Sequence, residues 1–136
     1  MSLVVPNPSE VKLLEFALGF STPGNQLLKL FTNNVTPGDT DTAATYTEMS
    51  TQNYAAKTLN KANWSIASSS GVGTASYAAQ TWTFDGSGGA TTVYGYYVVD
   101  ATTGTLLWSE LFNSPKVVQY AGDQIVITPA FTLSKV

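Results

Sequence analysis

Asp100 and Glu110 are the two carboxylates of this sequence best placed to do chemistry, because glycoside hydrolysis requires only a pair of acidic side chains. Both lie in one predicted β-hairpin, Val93 to Phe112, whose turn at residues 102–104 makes facing residue numbers sum to about 206. This register separates the carboxylates by about four residues, or ~13 Å along a strand, beyond the ~5 to 9.5 Å that glycosidases use. The two residues are better explained without catalysis: Asp100 flanks the turn, and Glu110 lies at a sheet edge or an interface.

The other familiar catalytic and metal-binding groups are missing or incomplete. Histidine and cysteine are absent, which excludes Ser-His-Asp and Cys-His systems and imidazole or thiolate metal sites. The glycine-rich stretch 85–89 lacks the lysine and the following helix of a phosphate-binding loop. Asp39 and Asp41 have the spacing that begins a calcium loop, but Ala43 and Ser50 stand at later positions, which favours an Asx-type turn. We therefore expect no enzymatic activity, cofactor or metal.

The charge composition restricts the partners. Charged residues make up 11% of the chain, all six cations are lysine, and the formal net charge is −3. Few cations allow few phosphate contacts, which argues against nucleic acid. No apolar run approaches the ~20 residues of a membrane-spanning helix, and the first residues lack the pattern of a signal peptide. The sequence predicts no nucleic-acid and no membrane partner.

Short segments rich in β-branched and aromatic residues, bounded by turn residues, predict strands. Pro6 and Pro8 predict an extended N-terminal arm over residues 1–10, followed by one domain over residues 11–136. Beyond residue 25, strands are predicted at 26–32, 54–59, 64–67, 76–84, 93–100, 105–112, 116–120 and 124–133. The predicted fold is all-β, a single-domain antiparallel β-sandwich, jelly-roll-like, with about eight to nine strands.

Two further segments complete this organisation. Alternation at Leu14, Phe16 and Leu18 predicts a first strand that turns back at residues 21–24. Residues 33–52 are polar and show no sustained periodicity, so they predict a long loop. Because long loops in small domains are usually functional or mobile, this loop is a candidate contact region.

The hairpin at residues 93–112 is apolar on both faces. On the predicted register one face carries Tyr94, Tyr96, Trp108, Glu110 and Phe112, with Tyr94 opposite Phe112 and Tyr96 opposite Glu110. The other face carries Tyr97, Val99, Leu107 and Leu111. One face can fill the core of the domain, but the second needs a cover, either another strand layer or a neighbouring subunit. We predict that Tyr94, Tyr96, Trp108, Glu110 and Phe112 form a protein interface.

The aromatic residues also permit a different interpretation, a sugar-stacking platform like that of carbohydrate-binding modules. Trp64 and Trp82 alternate with small or polar neighbours, which favours positions in the core. For Tyr96 and Trp108 a protein interface is favoured over a sugar site.

The order of these features resembles small β-sandwich virion proteins of tailed bacteriophages, especially head decoration or cement proteins. The resemblance runs from Leu27 to Leu133 and rests on Leu30-Phe31-Thr32-Asn33, Glu48, Tyr54, Leu59, Trp64, Phe84, Gly95-Tyr96-Tyr97-Val98-Val99-Asp100, Leu106-Leu107, Gly122-Asp123 and Ile125 to Leu133. It implies a non-enzymatic homotrimer on the outer capsid surface of a virion, bridging subunits of the major capsid protein without a cofactor. Two alternatives stay open: a tail, neck or fibre-associated virion module, and a carbohydrate-binding module.

Overall fold

The computed structural model describes residues 3–134. Within this range the chain forms one α-helix and nine strands, all paired antiparallel. The elements are α1 (Asn7–Ala17), β1 (Gln26–Phe31), β2 (Lys57–Leu59), β3 (Ser65–Ser69), β4 (Val72–Ser76), β5 (Gln80–Asp85), β6 (Thr91–Asp100), β7 (Leu106–Val118), β8 (Ala121–Ile127) and β9 (Ala130–Ser134). The predicted all-β antiparallel sandwich is confirmed. The described part of the chain contains no helix with the length and hydropathy needed to span a lipid bilayer.

The strands form two layers. The front sheet has the order β2-β1-β6-β7. The second layer consists of the back pair, β5-β8, and the projecting sheet, β3-β4-β9. The Tyr77 N–H donates to the Pro129 carbonyl at 2.9 Å between these two pieces, so β4 with β5 and β8 with β9 continue as one bent ribbon. Because proline has no N–H, the ladder is interrupted where the ribbon bends.

The main core lies between the front sheet and the back pair. Alternate residues of β5 and β8 point inward, as the pleat of a strand requires. The back pair contributes Trp82, Phe84, Ile125 and Ile127, and the front sheet contributes Leu28, Leu30, Leu59, Val93, Val98 and Trp108, all at most 6% exposed. Burial of these apolar surfaces is the main favourable term holding the layers together.

Residues 7–17 form α1, so the predicted first strand is wrong, and the predicted arm is helical from residue 7. Pro6 is the N-cap and Pro8 lies in the first turn, where a helix tolerates a missing N–H. The residues that follow are mostly good helix formers, and no glycine interrupts them before Gly19. The predicted boundary at residue 10 falls inside this helix.

The end of α1 is closed by a Schellman motif. Gly19 has a φ of 77°, its N–H donates to the Phe16 carbonyl at 3.3 Å, and the Phe20 N–H donates to the Glu15 carbonyl at 2.9 Å. This local arrangement satisfies carbonyls that a helix end would otherwise leave without a partner.

The residues before α1 are bonded to the sandwich. Val4 and Ser109 exchange two backbone hydrogen bonds, of 2.9 and 3.0 Å, which extends the front sheet beyond β7. The Asn7 N–H donates to the Asp39 carbonyl at 2.8 Å, and Pro6 is fully buried. These contacts fix the position of α1 against β7.

Some of the nine observed strands differ from the predicted strands in existence or in bounds. β4 was not predicted, because its Val-Gly-Thr-Ala-Ser sequence carries little hydrophobic signal. The predicted strands at 105–112 and 116–120 are the single strand β7, and the predicted strand at 124–133 is divided at Pro129 into β8 and β9.

Candidate assembly surface

The hairpin of β6 and β7 carries the predicted interface residues. Tyr96 pairs with Glu110 and Val98 with Trp108, which confirms the predicted register over this part of the hairpin. The turn at residues 101–104 is closed by the Asp100 N–H, which donates to the Thr105 carbonyl at 2.9 Å. The middle of the hairpin therefore has the predicted cross-strand partners.

The predicted pairing of Tyr94 with Phe112 is wrong, because residues 112–115 of β7 all stand opposite Tyr94 alone. This irregularity moves Tyr94 to the face that carries Tyr97. A second register shift, after Val98, places Leu107 in the main core rather than on the opposite face. Irregularities of this kind reverse the face of single residues without changing the rest of the ladder.

Tyr96 holds Glu110 in place. The Tyr96 hydroxyl donates to Glu110 Oε2 at 2.6 Å. Burial of the ring, and then the adjacent Glu110 carboxylate, raise the pKa of Tyr96 above its ordinary value. Glu110 therefore has a structural partner within its own hairpin.

The five predicted interface residues do not form one exposed surface. Tyr96 and Trp108 are only 5% and 6% exposed and lie in the main core. Tyr94 packs on the other face of the sheet, and Tyr94, Glu110 and Phe112 are half-buried. Glu110 and Phe112 line a shallow depression over residues 110–116. A protein interface at this hairpin stays a prediction.

The other apolar face of the hairpin is covered by the chain itself. Residues 33–49, the covering loop, cross this face and bring Tyr46 against Phe31 and Tyr97, with ring centroids 4.8 and 5.0 Å apart. Phe31, Tyr46 and Tyr97 are at most 5% exposed. The expected cover for this face is therefore neither a strand layer nor a neighbouring subunit, but a polar loop of the same molecule.

Hydrogen bonds anchor the covering loop. The Tyr46 hydroxyl lies 2.6 Å from Asp41 Oδ2 and 2.8 Å from Ser109 Oγ of β7. The Asn33 side chain donates to the Thr45 carbonyl at 2.9 Å and accepts a hydrogen bond from the Thr47 N–H at 2.8 Å. Burial, and then the Asp41 carboxylate, raise the pKa of Tyr46. These bonds give the candidate contact loop a structural role.

Of the carboxylates singled out from the sequence, Asp100 and Asp41 accept hydrogen bonds from the backbone of turns, whereas Glu110 lies within β7. Asp100 is 1% exposed, and its Oδ1 accepts hydrogen bonds from the Thr102 and Thr103 N–H groups at 2.7 and 2.9 Å. Glu110 stands opposite Tyr96, four positions from Asp100 along β6. Asp41 accepts the Gly38 N–H at 2.9 Å. No group of three or more potential metal ligands occurs among residues 3–134.

The surface that the sequence analysis missed is the outer side of α1. Val11, Leu14 and Leu18, the outer row, are 60%, 62% and 71% exposed. Leu13 and Phe16 point to the opposite side of the helix, toward the sandwich. The spacing of three and four residues in the outer row is the signal for this helix, although Leu14, Phe16 and Leu18 also fit the alternation of a strand.

An apolar cleft lies between α1 and the projecting sheet. It has a volume of about 250 Å³ and is lined mainly by Leu13, Phe16, Trp64, Ile66, Trp108 and Phe131. Trp64 is half-buried, packs edge-on against Trp108 at 6.0 Å and donates its indole N–H to Gln26 Oε1 at 2.8 Å. Trp82 is 4% exposed, which confirms its predicted core position. The three tryptophans therefore present no flat exposed platform.

Comparison with models of known protein families identifies the family of this chain. A model of the family described as Podophage GP4 fiber I protein gp80 matches residues 7–133. No curated protein matches the chain. The matched span begins with α1 and includes the front sheet, the back pair and nearly all of the projecting sheet. The chain therefore belongs to the family of the podophage GP4 fiber I protein gp80.

Proposed function

We propose that this chain is a non-enzymatic building block of a phage fibre, or of the tail structure that carries it, and that it attaches through the outer row of α1. Family membership makes it a structural component of a phage particle. The family description refers to a fibre, which supports this location over the outer capsid surface expected from the sequence. Bridging of the major capsid protein and a homotrimeric state stay predictions.

The observation that carries the attachment proposal is the exposure of the outer row. All three side chains of Val11, Leu14 and Leu18 are at least 60% exposed, on one side of one helix. Contiguous exposed apolar surface on a soluble protein marks an interaction site. Residues spaced three and four apart are also the pattern with which a helix enters a groove or packs against another helix.

The charges beside the outer row indicate the chemistry of the partner. Helical geometry places Glu10 on one flank of the row and Glu15 on the other. Glu15 forms an ion pair with Lys12, whose side chain lies toward the buried side of α1. Two copies packed through this row would bring acidic flanks together, which is unfavourable. We therefore expect another virion protein with an apolar groove bordered by Lys or Arg.

Incorporation of variants into phage particles tests this proposal. Particles assembled without the native chain would be supplied with the wild type, Leu14→Ser or the control Val126→Ser, which changes a 57% exposed valine of β8. Loss of one buried leucine contact weakens attachment about tenfold or more. We expect fewer copies of Leu14→Ser per particle, counted by quantitative mass spectrometry, and normal copy number for Val126→Ser. Equal incorporation of both variants would contradict attachment through α1.

A carbohydrate-binding role has weaker support. Tyr120 is 68% exposed, but it has no stacked aromatic neighbour in the described structure, while Trp82 and Trp108 are buried. Sugar platforms require exposed aromatic faces, so the fold favours a contact with protein.

A further inference from the structure

Strand β3 is an edge strand, and the face that carries Ile66 borders the cleft between α1 and the projecting sheet. It lies at the end of the projecting sheet, in the order β3-β4-β9, and all five of its residues are exposed. Ile66 is 81% exposed, although its side chain is apolar. One row of backbone N–H and C=O groups of β3 is therefore available to another strand.

The edges of the front sheet and of the back pair carry features that discourage pairing with a second chain, whereas β3 and β9, the two edges of the projecting sheet, lack them. The front sheet ends in β2, which has three residues including Lys57, and in β7, which is bridged to Val4 at Ser109 and contains a proline and a lysine further along. In the back pair, β5 ends at Asp85 after a register irregularity, and β8 contains Asp123. The sequence of β3, Ser-Ile-Ala-Ser-Ser, has no charge, no proline and no bulge. Natural proteins protect solvent-exposed edges with such features, and β3 lacks all of them.

The turn before β4 determines which backbone groups of β3 face outward. Ser70 and Gly71 have φ angles of 50° and 81°, as the two central residues of a type I′ hairpin turn require, and Ser69 pairs with Val72. The residue pair that closes such a turn is hydrogen-bonded, and bonding alternates along the strand. Ser69, Ala67 and Ser65 therefore bond to β4, whereas Ile66 and Ser68 direct their N–H and C=O groups to the free edge.

We propose that β3 pairs with β3 of a second copy of this chain, antiparallel, about a twofold axis at Ala67. Ile66 then stands opposite Ser68 of the second copy, and Ser68 opposite Ile66 of the second copy. These are the residues with outward groups, so the two strands exchange four main-chain hydrogen bonds. The result is a continuous six-stranded sheet across the dimer.

The side chains of β3 suit this self-pairing. At the axis Ala67 faces its own copy in a non-hydrogen-bonded pair, where the Cα atoms approach to about 4.5 Å and a small side chain fits. The two Ile66 side chains lie on one face as diagonal neighbours, about 7–8 Å apart, and each covers part of the other. No charged side chain of β3 opposes a like charge across the axis, in contrast to pairing through the outer row of α1.

An interface built on one strand pair is small, so the dimer is weak. We expect a Kd between about 1 μM and 1 mM, typical of transient contacts at the low end of interface size. Anchoring of many copies on one particle raises their effective concentration and favours the pair there. The proposal does not depend on the attachment through α1.

Sedimentation equilibrium of the full chain from about 10 μM to 1 mM tests the proposal, and we expect the average mass to lie above that of the monomer at 1 mM and to rise with concentration toward twice that value. Ser68→Pro removes an outward N–H without touching the β3–β4 bonds, so this variant stays monomeric. Thr132→Pro is the matched control. Thr132 pairs with Thr74, whose backbone groups bond to β3, so the Thr132 N–H also points outward, at the opposite edge of the sheet. This control variant dimerises normally.

Disulfide trapping provides a second readout if the proline variant does not fold. The chain has no cysteine, so Ala67→Cys introduces one thiol at the proposed axis, where the close approach of facing β-carbons permits a disulfide. Mild oxidation should convert Ala67→Cys to a covalent dimer and leave Thr132→Cys monomeric. A monomer at 1 mM, a threefold mass, or equal trapping at both positions would overturn the proposal.

Discussion

The covered face of the β6–β7 hairpin and the outer row of α1 are both apolar, but they differ in what lies against them. The hairpin face packs against the covering loop, which leaves Tyr97 3% exposed, whereas Leu14 of the outer row is 62% exposed. A polar segment thus covers an apolar sheet face by supplying a few aromatic and aliphatic side chains. The comparison teaches that a two-faced apolar element indicates a partner only when the rest of the chain does not reach its second face.

Removing a ring from the covered face should have the largest effect on stability. Phe31 is 0% exposed and contacts Tyr46 and Tyr97, so Phe31→Ala should lower the free energy of unfolding by about 3–5 kcal/mol. Phe20→Ala, at an 82% exposed phenylalanine, is the control and should change it by less than about 0.5 kcal/mol. Equal urea denaturation midpoints for the two variants would contradict the assignment of this face to the interior.

The two tyrosines of the covered face should also make the free energy of unfolding decrease at alkaline pH. Burial and then Glu48 raise the pKa of Tyr97 to about 12, and the pKa of Tyr46 is raised further. In the unfolded chain both groups titrate near pH 10, so the stabilisation is complete below pH 10 and decreases as the pH rises toward the folded-state values. At pH 11 the loss should be about 1 kcal/mol for each tyrosine.

Denaturant titrations at pH 8 and pH 11 measure this loss. Tyr97→Phe keeps a ring on the sheet and removes one titrating group, so it should show a smaller difference between the two pH values than the wild type. If the phenylalanine variant and the wild type lose the same stability, Tyr97 is not held protonated by the fold.

An effect smaller than that of Phe31→Ala is expected from removing the Tyr46 hydroxyl, which anchors the covering loop. Tyr46→Phe leaves Asp41 and Ser109 without a hydrogen-bond partner at that position and should cost about 1–3 kcal/mol at pH 7. Tyr120→Phe, at a 68% exposed tyrosine, is the matched control and should be neutral. Chemical denaturation of both variants checks the difference, and a neutral Tyr46→Phe would mean that the bonds of this hydroxyl do not stabilise the loop.

The smallest effect on stability should come from the outer row. Leu14 is 62% exposed, so Leu14→Ser should change the free energy of unfolding of the isolated chain by less than about 0.5 kcal/mol. A calorimetric or denaturant measurement showing a loss above about 1 kcal/mol would place Leu14 in the folded core and not on a partner surface.

The sequence predicted the middle of the β6–β7 hairpin well, because a turn centred near Thr103 and cross-strand pairs restrict the register strongly. The irregularity at residues 112–115 could not be predicted, since the extra residues continue the strand without a clear signal beyond Pro115. Tyr94 and Leu107 were consequently assigned to the wrong faces. Local shifts of this kind depend on tertiary packing that periodicity does not encode.

The two regions compared above were the hardest to predict. Pro6 and Pro8 suggested an extended segment, although proline is also favoured in the first turn of a helix. In the covering loop the side chains that seal the hairpin, Val35, Ala43 and Tyr46, follow neither a twofold nor a 3.6-residue period. Sequence pattern alone therefore predicted neither the exposed helix nor the covering loop, which lies where a strand layer or a neighbouring subunit was expected.

A cryo-EM map of the intact phage particle, at a resolution that traces side chains, tests the attachment of this chain most directly. We expect the copies of this chain to lie in the fibre or tail, with Val11, Leu14 and Leu18 buried against a neighbouring protein that bears basic residues at the rim. Copies on the capsid shell, or copies in the fibre with this side of α1 facing solvent, would contradict it.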